Sequence, residues 1–172
     1  MQDVQGAPFI REALDDLLES AAHLSSQKPN YGFSRWSSLQ AAEKTLKSYI
    51  VQNGGNLQKI HKLAELETAA SAVGLPALHP SLIADIQCSA EVRYAAYSIR
   101  KAEALKAHCA VLNLCTQISP LLKPHSGWVS EIKIESHELA GEKSPIKRLM
   151  VIRSKSRKEA SAPDDSNLGL SL

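Results

Sequence analysis

Aromatic residues are scarce in this 172-residue chain, at 5%. Alanine and leucine are plentiful, and both lose little rotamer freedom in a helix, so the balance favours packed helices over a sheet core. Cysteine is scarce as well. Cys88, Cys109 and Cys115 are odd in number and irregular in spacing. No C-x-x-C pair and no Cys/His group at zinc spacing occurs, which argues against a disulfide framework and against a structural metal. Two of the thiols are expected to pack as small apolar side chains in a reducing compartment. Neither sign of charge dominates: the net charge is +2 at pH 7, too mild to imply a polyanion partner by itself.

No stretch approaches the ~20 apolar residues that a bilayer-spanning helix needs. Met1 to Ala7 lacks the basic region and apolar run of a signal peptide. A cytoplasmic location away from membranes is the expectation. Also missing are the phosphate-loop, dinucleotide-fold, zinc-protease and serine-hydrolase signatures and any paired acidic metal motif, so no metal or cofactor is expected.

What is present is an ordinary globular composition, 44% hydrophobic and 22% charged. Hydrophobic periodicity predicts a helix from about Pro8 to Leu24, with Ile10, Leu14, Leu17, Ala21 and Leu24 on one face and Ala13 and Leu18 widening it. A connector rich in turn residues follows. A second helix is predicted from about Ser34, as N-cap, to Gln52, with Trp36, Leu39, Ala42, Leu46, Tyr49 and Ile50 inward. Glu43 interrupts that stripe, and a buried carboxylate requires a partner.

A third helix is predicted from Leu57 or Ile60 to Val73, and a short one from Pro80 to Cys88. Ser89 to Tyr97 reads either as helix or as structured loop. A long helix from about Ser98 to Ser119 would place Ala102, Leu105, Cys109, Leu112 and Cys115 or Thr116 inward, with Ile118 near its end. Pro120 and Pro124 end it. Beyond Pro124, alternating Ile132 and Ile134 and the run Ile146 to Arg153 suggest an appended β-hairpin. The organisation is thus an all-α, up-and-down bundle of four to five helices over 1–124. An extension follows over 125–154, then a tail over 155–172 whose Ser, Ala, Pro and Asp content suits disorder.

Three ordered segments carry a resemblance. Ala41-Ala42-Glu43-Lys44-Thr45-Leu46-Lys47 looks like the A-x-E-K-x-L-K of HEPN second helices, His61-Lys62-Leu63 is similar to their H-x-L, and Val92-Arg93-Tyr94 to the R-Y before their last helix. The stretch from Phe33 to Ile118 therefore resembles HEPN domains. The resemblance implies a helical bundle, commonly a homodimer, in a family of ribonuclease toxins, partners of small nucleotidyltransferases and nucleotide-associated modules. It also places Glu43 and Arg93 toward the interior, where a charge-assisted pair would neutralise the carboxylate.

The catalytic branch of the family uses Arg and His four to six residues apart on the final helix. Here Arg100 and His108 have seven residues between them and point about 80° apart. Lys101 shares a face with His108 but lacks the planar fork suited to a scissile phosphate. His108 reads better as a helix-face histidine beside Leu105 and Leu112. Lys44 and Lys47, one turn apart on the outer side of the second helix, are candidate phosphate contacts, with solvated surface as the plainer alternative. The run from Lys143 to Lys158 holds Lys147, Arg148, Arg153 and further basic residues with no acid among them, a candidate sequence-blind contact to phosphates. Arg93 joins these as a candidate nucleotide or nucleic-acid contact.

The leading expectation is a non-catalytic HEPN-like module. It would engage a nucleotide, RNA or a partner nucleotidyltransferase. Two alternatives stand beside it: a metal-independent, toxin-like endoribonuclease using His108 with Arg100 or Lys101, and an oligomerisation scaffold.

Overall fold

The computed structural model describes the backbone over 7–56, 59–94, 98–123, 130–138 and 145–153, with side chains over 9–56, 59–94 and 98–123. Five helices follow one another: α1 (Ala7–Ser25), α2 (Tyr31–Gln52), α3 (Leu63–Ala72), α4 (Pro80–Ile86) and α5 (Lys101–Ile118). A 3-10 turn, Ala90–Tyr94, lies between α4 and α5. The stretch expected as helix or structured loop from Ser89 is thus a short 3-10 turn up to Tyr94, and its last three residues, 95–97, lie outside the described residues. Two strands, β1 (Ser130–Glu138) and β2 (Pro145–Arg153), form an antiparallel hairpin in which Ile132 pairs with Val151 and Ile134 with Leu149. The tail over 155–172 lies outside the described residues. No described helix is long and apolar enough to cross a membrane.

Helix α2 is the hub, packed against α1, α3, α4 and α5. Its start is set by Asn30 rather than Ser34: the Asn30 side chain accepts a hydrogen bond from the Phe33 N–H at 3.0 Å. An uncapped N–H there would be left to solvent, and Asn satisfies it as well as Ser does. Ser34 is instead fully buried inside the helix. At the far end Asn53 caps the helix, and Gly54 turns the chain at a φ of 80°. That left-handed conformation suits glycine.

Helices α1 and α2 run antiparallel. Polar links across them join falling positions on α1 to rising positions on α2: Ser20 to Ser34 and Ser38, Glu19 to Ser37, Asp16 to Lys44. The core between the helices is built from Leu17, Leu39, Leu46, Ile50, Leu63, Leu66, Ile86, Val111, Leu114 and Ile118.

Two predicted stripes are corrected. On α1, Leu18 is exposed, and the buried line is Ala13, Leu17, Ser20 and Leu24. On α5 the buried residues are Ala104, Ala107, His108, Ala110, Val111, Leu112, Leu114, Cys115 and Ile118, so Leu112 is inward as expected, while Ala102 is exposed and Leu105 and Cys109 are half-buried. Small alanines let α5 approach α2 closely, and the rotation this allows carries His108 into the core. None of the three cysteines is in a disulfide, and only Cys115 is fully buried.

Candidate functional site

The 3-10 turn is pressed onto the first turns of α2. Gly32 makes the approach: a Cβ on it would lie 2.3 Å from the Val92 carbonyl oxygen. With the turn seated this way, the Arg93 guanidinium lies over the Trp36 ring at 4.7 Å and over the Tyr94 ring at 4.6 Å. Trp36 packs against the core as the rear wall. Tyr94 is 71% exposed, an outlying aromatic in a chain that has few. Both ring contacts are within cation–π range.

The neighbouring Arg35 ties α2 to the segment after α4, donating from Nη2 to the Gln87 carbonyl at 3.2 Å. Gln87 in turn accepts from the Leu63 N–H at 3.2 Å, anchoring the start of α3. Gly32→Ala should therefore lower stability by about 1–3 kcal/mol, because the obstructing atom is backbone and must shift. Thermal denaturation checks this, and the Arg93–Trp36 stack should loosen with it.

The expected Glu43–Arg93 pair is not formed. Glu43 is buried, but its partners are Lys47, donating to Oε1 at 2.6 Å from one turn on, and His61, whose Nδ1 is 3.2 Å from the same oxygen. Arg93 is taken up by the two rings instead. A lysine four residues after a glutamate lies on the same helix face, so the partner was within α2 itself. His61 sits just before α3 with a largely exposed side chain, and it bridges the start of that helix to α2.

Lys44 and Lys47 are not on a solvated outer side. Lys44 reaches across to α1, 2.7 Å from Asp16 and 3.3 Å from Glu12. Lys47 is nearly buried beside Glu43. Both ammonium groups are thus held by carboxylates.

His108 is buried on α5, with Nδ1 2.9 Å from the Ser20 hydroxyl. Ser20 also donates to the Ser34 carbonyl at 3.0 Å and meets the hydroxyls of Ser38 at 2.8 Å and Ser34 at 3.1 Å. Ser20 has one proton. With that proton directed at Ser34, the imidazole donates from Nδ1 and leaves Nε2 as a bare acceptor. Nε2 is buried and has no partner. Burial holds the imidazole well below its ordinary range, at about 4.

Arg100 lies at the exposed start of α5, where its backbone N–H donates to Glu103 at 2.9 Å and its guanidinium is 3.5 Å from the same oxygen. Eight residues of rise put Arg100 about 12 Å from His108 along the axis. Lys101 is half-buried one residue on. These three candidates are spread along the helix rather than gathered.

The hairpin places Arg148 opposite Glu135 and Arg153 opposite Ser130. Lys143, Lys155, Arg157 and Lys158 lie outside the described residues. Among the described residues no group of three His, Cys, Asp or Glu side chains could hold a metal ion.

The family model of the HEPN domain matches residues 8–85, from the first turn of α1 into α4. Over those residues the chain is similar to a HEPN domain. The match takes in the Ala41–Lys47 and His61–Leu63 segments and adds α1. The Val92-Arg93-Tyr94 segment and α5 lie beyond it, packed onto the same bundle. HEPN domains are helical modules associated with nucleotides and RNA. No curated protein and no solved structure matches the chain.

Sequence reasoning did not find the serine cluster or the double stack on Arg93. Ser34 and Ser38 stand one turn apart on α2, and such a spacing on an inward face was the available signal. Trp36 had been assigned to the apolar stripe and Arg93 to the carboxylate.

Proposed function

We propose that this HEPN-like protein is a non-catalytic binding module for a nucleotide or RNA. The observation that carries the reading is the place of His108. It is sealed in the core, neutral, and bonded to Ser20, about two turns from Arg100. A general acid or base must come within hydrogen-bond reach of the proton it transfers, and a side chain 1% exposed offers no such approach. The HEPN-like bundle with the unpaired Arg93 beside an exposed Tyr94 supports binding as the retained property.

The same reading includes association of two copies through the bundle, a separately encoded nucleotidyltransferase as the protein partner, and a cytoplasmic setting in which the three thiols stay reduced. The basic strand β2 would add phosphate contacts through Arg148 and Arg153.

The test is incubation of purified protein with RNA in the presence of a metal chelator. The RNA should remain intact and should migrate with the protein in a native gel. Cleavage by the wild type that a folded His108→Asn variant does not perform would replace this reading with the toxin-like ribonuclease. Absence of any nucleotide or RNA complex, with a defined oligomer by size exclusion, would favour the scaffold.

A further inference from the structure

We propose that Tyr94 and Arg93 form a clamp for one unpaired nucleotide, the base stacking on the outer face of Tyr94 and the phosphate meeting the Arg93 guanidinium. The inference rests on the nucleotide-binding reading above and gives that reading a site.

Three observations carry it. The first is that Arg93 has no acid. Lys44, Lys47, Arg100 and Lys106 each face a carboxylate within 4 Å. Arg93 forms no hydrogen bond or ion pair with the described residues. Its Nε is buried, and its two Nη atoms are not among the buried unpartnered ones. A guanidinium presents a planar fork that grips a phosphate with two parallel bonds.

The second is the set of Tyr94. Its ring is covered by the Arg93 guanidinium on one face and is 71% exposed. The exposed ring leaves room for a second planar group to stack on it. Bases stack on such rings with little regard to sequence.

The third is rigidity. Trp36 backs the guanidinium from the core side, and Gly32 admits the Val92 carbonyl so that the turn sits tight against α2. The guanidinium is therefore oriented before a ligand arrives, which reduces the ordering cost of binding. The spacing, one aromatic next to one arginine, fits a single base and its phosphate. Such a unit comes either as a free nucleotide or within a single strand. Duplex RNA hides its bases in the stack and offers none to Tyr94.

The experiment is fluorescence anisotropy on the full chain with a short labelled oligoadenylate, using ATP and duplex RNA as competitors. The wild type should bind the single strand, and duplex should compete poorly. Tyr94→Ala should weaken binding about tenfold or more, as loss of one stacked base does. Tyr94→Phe should stay close to wild type, because the ring is kept. Arg93→Lys should weaken binding despite its unchanged charge, because the fork is lost. Competition by ATP at concentrations similar to the oligonucleotide identifies a free nucleotide as the ligand, and weak competition identifies the strand; either agrees with the clamp. A wild type that binds while folded Tyr94→Ala binds equally well overturns the clamp and leaves the binding reading standing. A wild type that binds neither the oligonucleotide nor ATP overturns both. Duplex bound as tightly as single strand overturns the clamp alone.

Discussion

Glu43→Ala should cost the fold about 3 kcal/mol, the scale for removing one partner of a buried ion pair. The side chains of Glu43 and Lys47 are 10% and 13% exposed, with 2.6 Å between them. Alanine at 43 strands the Lys47 ammonium in a place where water reaches it poorly. His61 adds little to the loss, since at 75% exposure its imidazole can turn to solvent once the carboxylate is gone. The cost therefore belongs to the lysine, and a second substitution can show this. Replacing both residues with leucine removes the two charges together, and apolar side chains of similar volume restore packing, so most of the stability should return. Urea denaturation of the single and double variants makes the comparison. A single variant within about 0.5 kcal/mol of wild type would mean that Lys47 finds water with ease, as a surface lysine does.

The helices were legible because their apolar residues recur at helical spacing and their ends carry Pro, Gly and Asn. Glu43 was legible as a buried carboxylate for the same reason: it interrupts Leu39, Ala42, Leu46 and Ile50. Its partner was not. A stripe says which residues face inward, but not which long side chain will fold back along its own helix. The error on α5 has a related cause. Its sequence offers apolar residues almost all round, so Ala102–Leu105–Cys109 and Ala104–Ala107–Val111 are both acceptable stripes. The choice falls to close packing against α2, where alanine allows the nearer approach. Ser34 is expected to cap the second helix, yet it is buried inside it together with Ser37 and Ser38. In a hub helix with neighbours on several sides, small hydroxyls fit, and their bonds go to other serines, a backbone carbonyl and, from Ser37, the Glu19 carboxylate. The site at Arg93 depends on a contact between distant segments, Gly32 with Val92, which no local pattern announces.

Between pH 6.5 and about 4 the protein should lose about 3 kcal/mol of stability through His108 alone. In the unfolded chain the imidazole takes a proton as the pH falls through its ordinary value of 6.5, whereas the folded chain refuses it until about 4. The unfolded state thus binds more protons across that window, and stability falls as pH falls. Above 6.5 both states are neutral and the effect vanishes. His108→Leu isolates it. At neutral pH the substitution should be nearly silent: Ser20 still donates to the Ser34 carbonyl, and the unpartnered Nε2 is removed. Near pH 4.5 the variant should be the more stable protein, so the two curves cross. Parallel curves, or a native-state His108 resonance that titrates near 6.5, would place the imidazole in contact with water. The outcome bears on chemistry as well as on stability. Cleaving RNA requires His108 to exchange a proton with a substrate oxygen, and an imidazole open enough to do that would also take a proton from solvent near its ordinary value. Crossing curves would therefore tell against the ribonuclease alternative without any RNA in the tube.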